Sequence, residues 1–203
     1  MKRTVSCLIG LMVLLFSIPA QAQTTIADIR KAYQEQKQII ARMSDDFPAE
    51  GIPPVYYHLH VSQNLPATGM HHENVYMYYG ELPSEEEFDP YPPHYLSFVT
   101  SKYNFAAREF YEEFLYDEQG QVAFIYARTP DFDFPKMHEF RLYFDGQHLL
   151  RLNVKESQKQ DSFEDIYTGT TIPEEYKEFC SQYTNRAFHF LEIFKTIEAG
   201  SCK

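Results

Sequence analysis

Residues 138–154, HEFRLYFDGQHLLRLNV, admit few conformations other than two antiparallel strands. Asp145-Gly146 is among the strongest short-range hairpin signals, because a tight loop needs positive φ, which glycine adopts without a steric penalty. Ahead of the turn the side chains alternate. Phe140, Leu142 and Phe144 leave one face and Glu139, Arg141 and Tyr143 the other. The first set is expected to meet the core. The second is expected to form a charged outer face, with Arg141 and Arg151 close together and Glu109, Glu112 or Glu113 offsetting them. Residues 108–128, REFYEEFLYDEQGQVAFIYAR, repeat the plan around DEQG, where Gly120 closes a type I turn with a bulge.

Three upstream runs extend the sheet. VYYHLHV at 55–61 follows Pro53-Pro54, ENVYMYYG at 73–80 returns after the loop SQNLPATG, and LSFVTSKYNF covers 96–105. The intervening ELPSEEEFDPYPPHY, at 81–95, is too rich in proline for a central strand. It reads as a surface loop and the best lid or partner-contact segment.

Helices bracket these strands. TTIADIRKAYQEQKQIIARMSDD, at 24–46, has Thr25 as N-cap with Asp28 completing a capping box. Its stripe is Ile26, Ile29, Tyr33, Gln36, Ile40 and Met43, with one polar interruption. The last helix is expected to begin at TTIPEEYKEF, capped by Thr171 with Pro173 in the first turn and Glu174 completing the box. Tyr176, Cys180, Tyr183, Ala187, Phe190, Phe194 and Ile197 form its stripe, and Gly200 ends it. These features predict an α+β domain: an antiparallel sheet of six or seven strands with both helices on one face.

Residues 1–22 read as a signal peptide, with a basic start, an apolar run and the small-residue site AQA. Residues 23–203 are then one domain, periplasmic or extracellular. Cys7 precedes the apolar run, where processing would not make it the new N-terminus, so a lipoprotein is not expected. No later run is long enough for an integral membrane segment. Without Lys2 and Arg3 the formal charge moves from −11 to −13, which disfavours nucleic acid and anionic membranes as partners. The chain holds 16 Tyr and 17 Phe but no Trp, which fits a thick aromatic core or a tyrosine-lined groove.

Cys180 and Cys202 would pair in an oxidising compartment. A continuous helix from Cys180 to Ala199 rises about 28 Å, and three more residues return only about 10 Å. Cys180 is therefore expected to be a buried thiol, the alternative being a helix break near Thr184-Asn185.

His58 and His60 leave one strand face at a spacing that lets two imidazoles converge on a zinc ion. His71 or His72 could add a third ligand and Glu73 a fourth, or a base. This yields the alternative of a zinc-dependent hydrolase. No HExxH motif, nucleophile elbow, phosphate loop or dinucleotide fingerprint accompanies the cluster. Glu112-Glu113 and Asp131-Asp133 are the nearest approach to an acid–base pair.

The segments EFYEEFLYDEQGQVAFIYA and HEFRLYFDGQHLLRL resemble uncharacterised exported proteins of gut-dwelling Gram-negative bacteria, whose hairpins carry a similar F-x-x-G-x-L turn with flanking aromatics. The resemblance implies an antiparallel sheet and no particular activity or cofactor. The leading expectation is an exported non-catalytic binding module for a small molecule, glycan or protein. Its candidate contacts are Tyr76, Tyr78, Tyr91, Tyr95, Arg141 and Arg151.

Overall fold

In the computed structural model, which describes residues 24–44, 51–84, 89–131, 135–157 and 162–200, every strand pairs with its neighbour in sequence. Helix α1 (Ile26–Ala41) is followed by β1 (Tyr56–Leu65), β2 (Gly69–Glu81), β3 (His94–Phe105), β4 (Arg108–Tyr116), β5 (Val122–Pro130), β6 (Met137–Asp145), β7 (His148–Ser157) and β8 (Glu164–Gly169). A short 3-10 turn (Glu174–Tyr176) leads into α2 (Lys177–Gly200). The sheet is an antiparallel meander in the order β1 to β8. It has eight strands, not the six or seven expected. The unanticipated one is β8, EDIYTG, an edge strand that is mostly exposed and so lacks the apolar alternation that marks the others. The expected leader, Cys202 and Asp133 lie outside the described residues. No described helix is long and apolar enough to cross a membrane.

The helices pack on opposite faces, which corrects the expectation of a single covered face. Adjacent strand residues point in opposite directions. Glu112 accepts from Arg186 of α2, whereas Glu113 accepts from Lys37 of α1. The apolar residues divide the same way. Phe114, Ile125, Ala127, Phe140 and Leu142 lie under α2, while Phe98, Leu115, Phe124 and Tyr143 lie under α1 with Ile29. The central strands thus bury both faces, and the Glu139-Arg141-Tyr143 face is not simply solvated: Tyr143 is covered.

Length sets how much each helix covers. The 24 residues of α2 span about 36 Å, close to the roughly 34 Å of seven strand spacings. Together with the turn ahead of it, the helix crosses the whole sheet, with Tyr176 of the turn against Tyr167 of β8 and Phe194 of α2 against Tyr57 of β1. The 16 residues of α1 reach only about 24 Å. Its core contacts run from Tyr78 and Phe98 to Leu150, leaving the outer face of the β1–β2 hairpin open.

Local signals held at several points. Thr25 and Asp28 form the capping box. The polar interruption in the α1 stripe has a partner: Gln36 donates to Ser97 Oγ at 3.3 Å, beside a register shift between β2 and β3. Gly120 adopts φ +75 in the β4–β5 turn, where its N–H bonds Asp117 O. Helix α2 runs without a break and Cys180 is a buried free thiol. Its start differs from expectation. Pro173 precedes the 3-10 turn with no side-chain cap, and the Thr171 carbonyl accepts from the Tyr167 hydroxyl.

SQNLPATG is also more ordered than a loop. Strands β1 and β2 run to Leu65 and Gly69, so the turn is confined to Pro66–Thr68. Ala67 sits there at φ +67, and Ala106 takes φ +53 in the β3–β4 turn. Left-handed backbone costs an L-residue roughly 1–2 kcal/mol, partly offset by the entropy glycine adds to the unfolded chain. We expect Ala67→Gly and Ala106→Gly each to raise stability by about 0.5–1 kcal/mol in urea unfolding. A loss of stability in both would contradict the strain assignment.

Candidate functional site

Helix α1 covers only part of its face and forms a cleft against β5 and β6. The cavity measures about 310 Å³, with Arg30 and Tyr33 contributed by α1, Phe124 and Tyr126 by β5, and Arg141 and Tyr143 by β6. Both guanidiniums lie over tyrosine rings: Arg30 is 5.5 Å from the Tyr143 centroid and Arg141 is 5.8 Å from that of Tyr126. Arg141 pairs with Glu139 at 2.5 Å, and the Tyr126 hydroxyl donates to the other oxygen of that carboxylate at 2.9 Å. Arg30 makes a long hydrogen-bond contact, 3.4 Å, to the Tyr143 hydroxyl. Two cations and one buried carboxylate leave the cleft locally positive, in a chain whose formal charge is −11.

Beside the cleft lies a buried polar knot. Glu113, only 2% exposed, accepts from Lys37 at 2.6 Å, from Tyr111 at 2.5 Å and from the Tyr33 hydroxyl. Glu112, 1% exposed, faces the other way and accepts from Arg186 at 2.6 Å and Tyr103 at 2.9 Å. Arg186 also donates to Glu73 at 2.6 Å and to Ser101 at 3.1 Å. Burial pushes the Glu112 carboxyl up despite the pull of Arg186. Two carboxylates on opposite faces cannot serve one substrate as acid and base, which removes the Glu112-Glu113 pair from consideration.

The residues singled out from sequence do not converge. Arg141 is in the cleft, but Arg151 stands opposite Tyr143 on β7 and has no part in its wall. Neither arginine is offset by Glu112 or Glu113. Tyr76 and Tyr78 meet Tyr56 edge to face, at 5.3 and 5.6 Å between ring centroids, on the outer face of β1–β2. Tyr95 covers Gly80, where a Cβ would come within 2.7 Å of its ring, and Tyr91 is a loop residue 63% exposed. Sequence reasoning missed Arg30 and Tyr126. Arg30 adjoins the apolar stripe of α1, a flanking position from which it could have been found.

The histidines divide as well. His58, His60 and His72 share the outer face, and His58 stacks flat on Tyr76 at 4.2 Å. His71 and Glu73 are on the α2 face. There His71 Nδ1 is 2.6 Å from the Asn104 carbonyl oxygen, and Glu73 is engaged by Arg186 and Ser101. Among the described residues, no group of three or more His, Cys, Asp or Glu side chains is arranged to hold a metal ion. Comparison with protein-family models, with curated proteins and with solved structures finds no match.

The tyrosines carry a pH dependence. Burial, reinforced by bonds to Glu113, raises the Tyr33 and Tyr111 hydroxyls well above the ordinary value near 10. Burial and the charges of Glu112 and Glu139 do the same for Tyr103 and Tyr126. Above about pH 10 the unfolded chain therefore sheds protons that the native state keeps, so stability is full below that point and falls as pH rises beyond it. A titration followed at 295 nm should show much of the phenolate signal appearing in one steep step together with loss of far-UV circular dichroism. Gradual ionisation of all tyrosines around pH 10 with the fold intact would contradict the burial of these hydroxyls.

Proposed function

We propose that the chain is an exported, non-catalytic binding module whose ligand is a small anion with a flat apolar body, held between α1 and strands β5 and β6. The observation that carries this reading is the pair of guanidiniums, Arg30 and Arg141, set over Tyr143 and Tyr126 at a cavity of about 310 Å³. Aromatic walls with a few placed charges are the usual composition of a small-molecule site. Guanidinium groups match carboxylate and phosphate oxygens in bidentate geometry. Export rests on the leader-like pattern of residues 1–22. A periplasmic or extracellular setting follows from it.

Binding is preferred to hydrolysis because the residues offered for a zinc hydrolase do not share a face. Glu73, offered as a fourth ligand or a base, is bonded to Arg186 and lies across the sheet from His58, His60 and His72.

The reading is tested by calorimetry and thermal shift with a panel of aryl carboxylates and aryl phosphates. At least one member should bind with one-to-one stoichiometry and an affinity that falls with salt. Arg141→Gln and, separately, the more superficial Arg30→Gln should each weaken it by about tenfold to a hundredfold, the magnitude of one charge-assisted hydrogen bond. A panel with no binder, or a binder held equally by both variants, would overturn the assignment.

A further inference from the structure

We propose that His60 and His72 form a surface site for a divalent transition-metal ion of the zinc or copper kind, on the outer face of the β1–β2 hairpin. This goes beyond the anion cleft and is independent of it. The two imidazoles belong to adjacent strands, with their ring centroids 5.8 Å apart. His60 Nε2 lies 2.9 Å from Ser62 Oγ and His72 Nδ1 lies 3.0 Å from the same oxygen. Two ring nitrogens thus converge on a single point.

A serine hydroxyl has one proton and can donate to only one of them. The same oxygen can accept from the other, so with Ser62 turned aside and both nitrogens deprotonated a metal ion would take both lone pairs at once. The orientation of His60 is fixed from behind: Asn74 Oδ1 is 3.0 Å from His60 Nδ1 and 3.3 Å from His58 Nε2. With that oxygen accepting the Nδ1 proton, Nε2 of His60 is left as the unprotonated donor, the role such outer contacts play around metal-bound histidine. His72 is held at its backbone, whose N–H donates to Asn104 Oδ1 at 2.7 Å.

The surroundings leave room for further ligands. His60, Ser62 and His72 are exposed, and a groove of about 450 Å³ opens beside His72, edged by the Lys102–Glu109 ion pair. Imidazole nitrogens favour zinc and copper over calcium or magnesium, and copper should bind more tightly than zinc. The remaining coordination positions would be taken by water or by an anion in the groove.

The test uses the full mature chain, stripped with a chelator, and titrates it by calorimetry with zinc chloride and separately with copper chloride. One equivalent of each should bind saturably. Copper should show nitrogen coupling in electron paramagnetic resonance. His60→Ala and His72→Ala should each weaken binding by about tenfold or more, since even loss of an outer contact costs that much. Both should retain the wild-type circular dichroism. His71→Ala, on the opposite face, should leave affinity unchanged. Absence of saturable binding, wild-type affinity in either His60→Ala or His72→Ala, or equal weakening by His71→Ala would overturn the proposal.

Discussion

Glu112 and Glu113, neighbours on β4, point to opposite faces of the sheet and are both buried, and each takes its cation from a different helix. An isolated buried carboxylate is costly, so each site must be filled by a partner of opposite charge. Lys37 meets that need from α1 and Arg186 from α2. The strand therefore carries a charge-encoded instruction for where both helices sit. Apolar stripes alone would leave each helix free to slide along its face, because hydrophobic contact has little directionality. Hydrogen-bonded ion pairs are directional, and here phenols tighten them: Tyr33 and Tyr111 on one side, Tyr103 on the other.

From this placement the open surfaces follow. Helix α2 and the turn that leads into it reach from β8 to β1 across their face of the sheet, and Arg186 meets Glu73 there. Helix α1 is shorter and centred by Lys37 on β4. It creates the arginine-lined cleft against β5 and β6 and leaves the tyrosine and histidine ladder of β1–β2 uncovered. The two candidate binding surfaces are thus products of one mismatch, a helix too short for its sheet.

Much of the architecture was legible in the sequence. The capping box of α1, the Gly120 turn and the stripe of α2 are local signals, and local signals are what a single chain displays; the tight turn expected at Asp145-Gly146 falls one residue later, at Gly146-Gln147, with Asp145 paired to His148. The strand β8 was not legible because an exposed edge strand needs no apolar period. The opposite placement of the helices was not legible either. Alternation shows that Phe140 and Tyr143 diverge, but both sets contain large apolar residues, and nothing local says which helix covers which. The site fared worse for a related reason. Arg30 and Arg141 are 111 positions apart in the chain and meet only through the docking of α1. The histidine cluster looked unified because its members are close in sequence, yet the period of two sends His71 and His72 to different faces.

Whether the ion pairs of β4 position the helices is measured directly by a double-mutant cycle on Lys37 and Glu113 in urea unfolding. Lys37→Met leaves the Glu113 carboxylate with only its two phenol donors and, because the Lys37 side chain is itself 39% exposed, should destabilise by roughly 1–2 kcal/mol. Adding Glu113→Gln should recover a large part of that loss, a coupling of at least about 1 kcal/mol. If Lys37→Met were neutral, or the two changes simply added, the carboxylates of β4 would be bystanders and the helices would owe their places to apolar packing alone.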